Sequence, residues 1–416
     1  MKKLALKPMM GTIKNVYKPE ICVFLTVCTI VFLANSGLAQ AGESRYVLDK
    51  ITSPSLQGNL LGDPATRPMW VWLPPSYDTS PKKRYPTIYM LHGFTGDHNQ
   101  FKYGPMLKLN IGEMASRLIA EGRIEEVIIV MPDASNVYGG SFYASNKVIG
   151  DYRTYIAGDL VNYIDGKYRT IPDRDSRSIA GNSMGANGAL SLAMEYPKIF
   201  GAVAAMSPSA DLAVPPTTLD GFLKKNPTTL DRPTLVHNTD ELRALLSGNV
   251  SVNVFYARGA AFSPNPDNPP YYVDLPLRYP EKTVVQDVWN KWLGQDMVSQ
   301  IERDGQNLTN TDIFIDIGIG PVTFMPEGHD IEYLLAALDE KGLAHTFVES
   351  PGDHLSHLRE RTTEVLKFLS APGTYVPEKT QSERVGKIKT NNRFKKAEST
   401  FSVGKEVVPY KSNQNT

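Results

Sequence analysis

From about Glu43 onward, hydrophobic and polar positions along the chain follow two alternating rhythms. Short runs at Met69 to Leu73, Thr87 to Leu91, Val127 to Met131, Arg177 to Ala180, Ala202 to Met206, Ile313 to Ile317 and His345 to Glu349 predict strands. The near-continuous apolar ones are of the kind that a sheet covered on both faces requires. Between the strands, apolar residues recur at helical spacing over Met106 to Glu121, Tyr152 to Tyr168, Ala186 to Tyr196, Ile331 to Lys341 and Leu355 to Leu369. Strands that alternate with helices predict an α/β fold with a mostly parallel, doubly wound sheet. Site residues are then expected just past the carboxyl ends of the strands.

Three stretches break the rhythm. At the start, a basic segment (Lys2, Lys3, Lys7, Lys14, Lys18) leads into an apolar run from Ile21 to Ala34, and Ala39-Gln40-Ala41 offers small residues at signal-peptidase spacing. Residues 1–41 are therefore expected to be a signal peptide, and the mature chain to be exported to the periplasm or beyond with no stable membrane insertion. The run is shorter than the roughly 20 residues of a membrane span; an uncleaved N-terminal anchor is the alternative. Residues 211–300 are Pro-rich with helical pieces at Thr239 to Leu246 and Val284 to Ile301, and are expected to form a cap-like insertion within a domain covering 42–371. From 372 to 416 the chain turns polar and basic, the composition of a flexible tail.

Composition narrows the class. The chain has 416 residues, 41% of them hydrophobic, enough for a large core, and its formal net charge of +0 gives no bias toward nucleic acid. Its 2 cysteines, Cys22 and Cys28, both fall in the leader, so no disulfide, thiol nucleophile or Cys-based metal site is expected after cleavage.

Within this frame, Ile179 to Gly185 read I-A-G-N-S-M-G, a G-x-S-x-G between a strand and a helix former. A sharp turn there exposes the Ser183 hydroxyl, and Gly181 and Gly185 remove the Cβ atoms that such a turn cannot accommodate. The Met184 N–H then stands at a helix start, where unpaired amides and the dipole favour an oxyanion. An ordinary Gly/Ser turn is the plain alternative, and only the surrounding pattern argues against it.

That pattern includes L-H-G-F-T-G-D (91–97), G-G-S-F-Y-A-S (139–145), D-Y-R-T-Y-I (151–156), G-N-S-M-G-A followed by E-Y-P-K-I-F-G, and M-S-P-S-A-D (206–211). In this combination and order the chain resembles, over roughly residues 45 to 371, the putative esterase family of α/β-hydrolases, which includes S-formylglutathione hydrolases, feruloyl esterases, enterochelin-type esterases and mycolyltransferases. The stretch A-A-F-S-P-N-P-D-N-P-P (260–270) with V-D-L-P (273–276) is similar to the insertion of enterochelin-esterase-like members. The resemblance implies an α/β-hydrolase fold with a cap, and Phe94 as the second backbone oxyanion donor, beside a loop-shaping His92.

A serine hydroxyl needs an imidazole to take its proton, and in α/β-hydrolases the histidine follows the last strand. His354, in E-S-P-G-D-H-L, meets both the chemistry and the resemblance. His357 forms an H-x-x-H with it, but no third metal ligand is evident, and His357 reads as helix surface. For the acid, the family pattern is a strand, then D-x-G, then a carboxylate three residues past the glycine. Here I-F-I-D-I-G is followed by Ile319-Gly320-Pro321, so Pro321 occupies that place and Asp316 reads as the structural strand-end aspartate. Three arrangements stay open: relocation of the acid to Glu327 or Asp330, which also suit helix capping; a Ser183–His354 dyad; or a degraded site.

The expected protein is thus a secreted serine carboxylic ester hydrolase. It would act through an acyl-serine on a small-molecule or carbohydrate-linked ester, with no cofactor, no metal and no nucleic-acid partner. An acyltransferase using the same chemistry and a catalytically degraded binding module are the alternatives. The natural ester and the oligomeric state are not legible. Aromatic residues of the insertion (Phe255, Tyr256, Phe262, Tyr271, Tyr272, Trp289, Trp292) suit either an aryl pocket or the insertion's own core.

Overall fold

The computed structural model describes residues 43–103, 109–209, 250–278, 283–319 and 331–370, with the single residues 233, 235, 241 and 375. Eight strands make one sheet: β1 (Arg45–Thr52), β2 (Thr66–Leu73), β3 (Thr87–Leu91), β4 (Ile128–Pro132), β5 (Arg177–Asn182), β6 (Ala202–Met206), β7 (Asp312–Gly318) and β8 (His345–Ser350). Their order across the sheet is β1-β2-β4-β3-β5-β6-β7-β8. The pairs β1·β2 and β2·β4 are antiparallel, and every pair from β4 to β8 is parallel.

Parallel strands must bury both faces, because the crossover helices cover each side. The side chains obey this strictly. In β3, Tyr89 and Leu91 join one core with Val71, Ile179, Val203 and Ile315, while Ile88 and Met90 join the opposite core with Ile129, Ala204 and Phe314. The first face is covered by a helix running through Tyr152–Thr154, a π-helical turn at Tyr155–Leu160, and α2 (Val161–Lys167), together with α3 (Met184–Glu195) and α7 (Ile331–Glu340). The second is covered by α1 (Ile111–Ala120) and α8 (Leu358–Ser370).

Within 211–300, helices α4 (Val250–Phe262) and α5 (Gln286–Leu293), followed by α6 (Met297–Asp304), send Val252, Phe255, Trp292 and Met297 into the first core. The predicted piece Thr239 to Leu246 lies outside the described residues apart from Glu241, as do residues 1–41 and, except for Tyr375, 372–416. Among the described residues no helix is long and apolar enough to cross a membrane.

The differences from the sequence-based elements have local causes. Instead of starting near Met106, α1 begins after Asn110, whose side chain accepts the Glu113 N–H at 3.2 Å and caps the helix. The single helix expected over Val284 to Ile301 divides in two, because Asp296 accepts the Val298 N–H at 2.9 Å and starts α6 afresh. Helix α8 starts at Leu358 rather than Leu355: Asp353 Oδ1 takes the N–H groups of Leu355 and Ser356, and His357 adopts a φ of 54°. Among the elements not anticipated are β1 and α4. Edge strand β1 is only half-buried, and in α4 apolar or small residues fall on every side, interrupted only by Asn253 and Arg258, which erases the helical stripe.

Candidate active site

Ser183 sits between β5 and α3 with φ 56° and ψ −120°, a backbone conformation that costs about 1–3 kcal/mol for a residue with a side chain. Hydrogen bonds on both sides hold it there. Its N–H donates to Met206 O at 2.9 Å, and its carbonyl accepts from Ala186 N and Asn187 N at 2.9 and 3.2 Å. The flanking glycines are required by contact. A Cβ on Gly181 would lie 2.2 Å from Gly185 O, and one on Gly185 would lie 2.2 Å from Leu91 O. The turn therefore touches itself and the end of β3, leaving Ser183 half-buried at the carboxyl edge of the sheet. Met184 opens α3, and its N–H has no acceptor among the described residues.

The loop after β3 lies against this turn. A Cβ on Gly93 would come within 3.5 Å of Ser183 Cβ, and one on Gly140 would come within 2.6 Å of Met184 Sδ and 2.7 Å of Phe94 Cδ2. The two expected oxyanion residues thus meet over the glycine pair of the 139–145 segment, to which Thr95 N bonds through Gly139 O at 2.9 Å. The Phe94 N–H also has no acceptor among the described residues. His92 beneath the loop is buried, and burial holds its imidazole below the ordinary pKa even though the Asp133 carboxylate lies 3.9 Å away. A neutral, fully bonded ring cannot act as the base, which fits a loop-shaping part.

His354 follows β8 and is buried, whereas His357 is exposed, 3.9 Å from the Glu360 carboxylate. Bonds between strand ends join this corner to the elbow: Ser207 N donates to Asp316 O at 2.7 Å, and Ile319 N donates to Ser350 O at 2.9 Å. Asp316 is wholly engaged. Arg361 Nε donates to its Oδ1 and Ser350 Oγ to its Oδ2, both at 2.6 Å. Arg361 also donates to Ser207 Oγ at 2.5 Å and to Asp353 O at 3.0 Å, so one guanidinium ties the strand ends to the residue before His354. Pro321, Glu327 and Asp330 lie outside the described residues.

Sequence reasoning passed over Arg361. Its signal was present, because Arg361 stands on the apolar stripe of α8 between Leu358 and Val365, where an unpaired charge would be untenable. The aromatic residues of the insertion mostly pack on one another. Phe255 and Trp292 have ring centroids 5.0 Å apart, Tyr256 and Tyr271 5.3 Å, and Trp289 and Trp292 6.4 Å, and Phe255, Tyr256 and Trp292 are buried. Phe262 packs both ways, 6.1 Å from Trp292 and 5.5 Å from Phe142, which is itself 6.0 Å from Phe94; Phe94, Phe142 and Phe262 are half-buried and form a ring wall leading away from the loop donor.

A profile of the family described as "Putative esterase" matches residues 64–357. "Uncharacterized protein YjcH" of Bacillus subtilis (strain 168) is 29% identical over 143 residues, 34% of this chain and 55% of that protein. "Esterase Rv1288" of Mycobacterium tuberculosis is 33% identical over 147 residues, 34% of this chain and 29% of that protein. The matches thus span about half or less of those relatives' length. Among solved structures, a ferulic acid esterase is similar over 79% of this chain and 98% of its own, with a TM-score of 0.51 at 21% identity, a likeness of fold alone.

Proposed function

The chain belongs to the putative esterase family of α/β-hydrolases, and from that premise we propose that it is an exported carboxylic ester hydrolase using Ser183 as nucleophile and His354 as base. The observation that carries the proposal is the strained Ser183 at the start of α3, with the Gly93–Phe94 loop packed against it.

In this reading Ser183 Oγ attacks the ester carbonyl while His354 takes its proton. The electron pair moves to the carbonyl oxygen, which the N–H groups of Met184 and Phe94 hold. Collapse expels the alcohol, protonated by His354, and leaves an acyl-Ser183. Water, deprotonated by the same imidazole, attacks the acyl-enzyme and restores Ser183. Both oxygens of Asp316 are committed elsewhere. The carboxylate proposed to orient His354 is Glu327 or Asp330, both outside the described residues, with a Ser183–His354 dyad as the alternative. The half-buried rings of Phe94, Phe142 and Phe262 favour an ester with an apolar or aryl group on that side.

Labelling with a fluorophosphonate probe together with turnover of p-nitrophenyl acetate tests the assignment. Wild type should react with both, and Ser183→Ala should lose at least about a thousandfold in rate, as for a nucleophile that acts as a unit with its base. Equal turnover by the variant would defeat it. Export by cleavage after Ala41 belongs to the same proposal. Protein recovered from outside the cytoplasm should begin at or near Gly42, and an intact Met1 on membrane material would point to an anchor instead.

A further inference from the structure

Two successive peptide units under the proposed oxyanion hole are fixed by side chains. The unit joining His92 to Gly93 is gripped at both ends: the Tyr143 hydroxyl donates to His92 O at 2.9 Å, and the Gly93 N–H donates to Gln100 Oε1 at 2.9 Å. The unit joining Gly93 to Phe94 is held at its carbonyl, which accepts from the His92 ring at 2.9 Å and from Gly96 N at 3.0 Å. Because His92 Nε2 accepts the Ala134 N–H at 2.8 Å, the proton of the neutral ring sits on Nδ1 and points at Gly93 O. In a trans peptide the carbonyl and the N–H point in opposite directions. With Gly93 O turned down onto His92, the Phe94 N–H is turned away from the loop interior.

The two gripping side chains are themselves anchored. The Tyr143 ring lies on the nucleophile helix, where a Cβ on Gly188 would come within 2.3 Å of it, and the strained φ of 51° at Tyr143 aims it there. One side chain therefore spans the helix that supplies Met184 and the loop that supplies Phe94. Burial pushes the Tyr143 phenol far up, so the hydroxyl keeps its proton at any working pH. Gln100 belongs to the short helix Gln100–Tyr103. The ammonium of Lys102 there stands 3.0 Å from the Trp70 ring centroid, 4.3 Å from that of Tyr103 and 4.4 Å from that of Tyr46, a box of three rings that staples the helix to β1 and β2.

We infer that Tyr143 and Gln100 are positioning residues that preset the oxyanion hole by clamping the His92–Gly93 peptide plane. The inference rests on the hydrolase reading above. A donor held in place before substrate arrives needs no reorientation as charge develops, which is where such a hole gains its effect.

Tyr143→Phe and Gln100→Met each remove one grip while keeping most of the shape. With p-nitrophenyl acetate, each should lower kcat about ten- to a hundredfold, less than outright loss of a donor, with KM little changed and the pH midpoint of kcat/KM unmoved. The fluorophosphonate labelling rate should fall in parallel. The double variant should lose little more than the worse single one, because both act on one rigid plane. Gln100 Nε2 is buried with no partner among the described residues, so Gln100→Met gives up nothing on that side and should melt near the wild-type temperature; it carries the test if Tyr143→Phe does not fold. Unchanged kcat in Gln100→Met with a wild type that labels overturns the clamp alone, as does a kcat loss that only tracks a lowered melting temperature. A wild type that does not label overturns the hydrolase reading, and the clamp with it.

Discussion

At the elbow, position is enforced by backbone lying on backbone: Gly181 against Gly185, Gly185 against Leu91, Gly93 against Asn182. At the histidine end a backbone contact of the same kind is present, with a Cβ on Gly318 falling 2.5 Å from Asp353 O, but a buried guanidinium is added to it: Arg361 reaches Asp316, Ser207 and the carbonyl before His354. The first arrangement is repulsive, since it works by leaving no room for another conformation. The second adds attraction and depends on two opposite charges staying together in the interior. The proposed nucleophile half is thus held mainly by volume, and the proposed base half by volume and charge together.

The largest expected effect probes the base half at the carboxylate that should orient His354. If Glu327 or Asp330 supplies it, the responsible one of Glu327→Gln and Asp330→Asn should reduce turnover by up to about four orders of magnitude, as wrong-tautomer variants do in Ser-His-Asp enzymes. Thermal melting should change little. If neither substitution affects turnover while Ser183 still labels, the base half works as a dyad. Next in size is Arg361→Met. It leaves Asp316 buried without its cation, so chemical denaturation should show a loss of about 3–5 kcal/mol, accompanied by a fall in kcat as the Asp353–His354 segment loosens. A loss no larger than that of a surface substitution would mean that the ion pair does not hold this corner.

The smallest effect separates the halves by pH. Burial keeps His92 below the ordinary histidine value of 6.5 in the folded chain. Below about 6.5 the unfolded chain therefore takes up a proton that the folded chain refuses, so stability is complete above that pH and declines as pH falls. The slope from one such proton is at most about 1.4 kcal/mol per pH unit. Melting temperature should drop from pH 7 to pH 5, and the drop should shrink in His92→Asn. An equal drop in that variant would remove His92 as the cause.

Much of this was legible in the residues, and the reason is distance along the chain. Strands β3 and β6 match their predicted bounds because a five-residue apolar run between turns has few other stable readings. The elbow was legible because its glycines, serine and helix former lie within a few residues of each other. Helix α4 was not, because apolar residues lie on its half-buried face (Val250, Val254, Phe262) as well as on its buried ones, which removes the periodicity by which a helix is recognised. The π-helical turn at Tyr155–Leu160 was not either, since no local signal distinguishes it from ordinary helix.

The sequence by itself determined the alternation that makes a doubly wound sheet, the serine turn, and a histidine past the last strand, since each is written in contiguous residues whose spacing matches a local geometry. Tertiary structure alone decided that Tyr143 and Gln100 grip one peptide plane, that His92 is a neutral support, and that Arg361 takes both Asp316 and the Asp353 carbonyl. These partners are 7 to 51 residues apart in the chain. Hydrogen bonds and ion pairs carry no periodicity; their partners are chosen by which strand ends the sheet order brings together, and that order becomes visible only when the chain is folded.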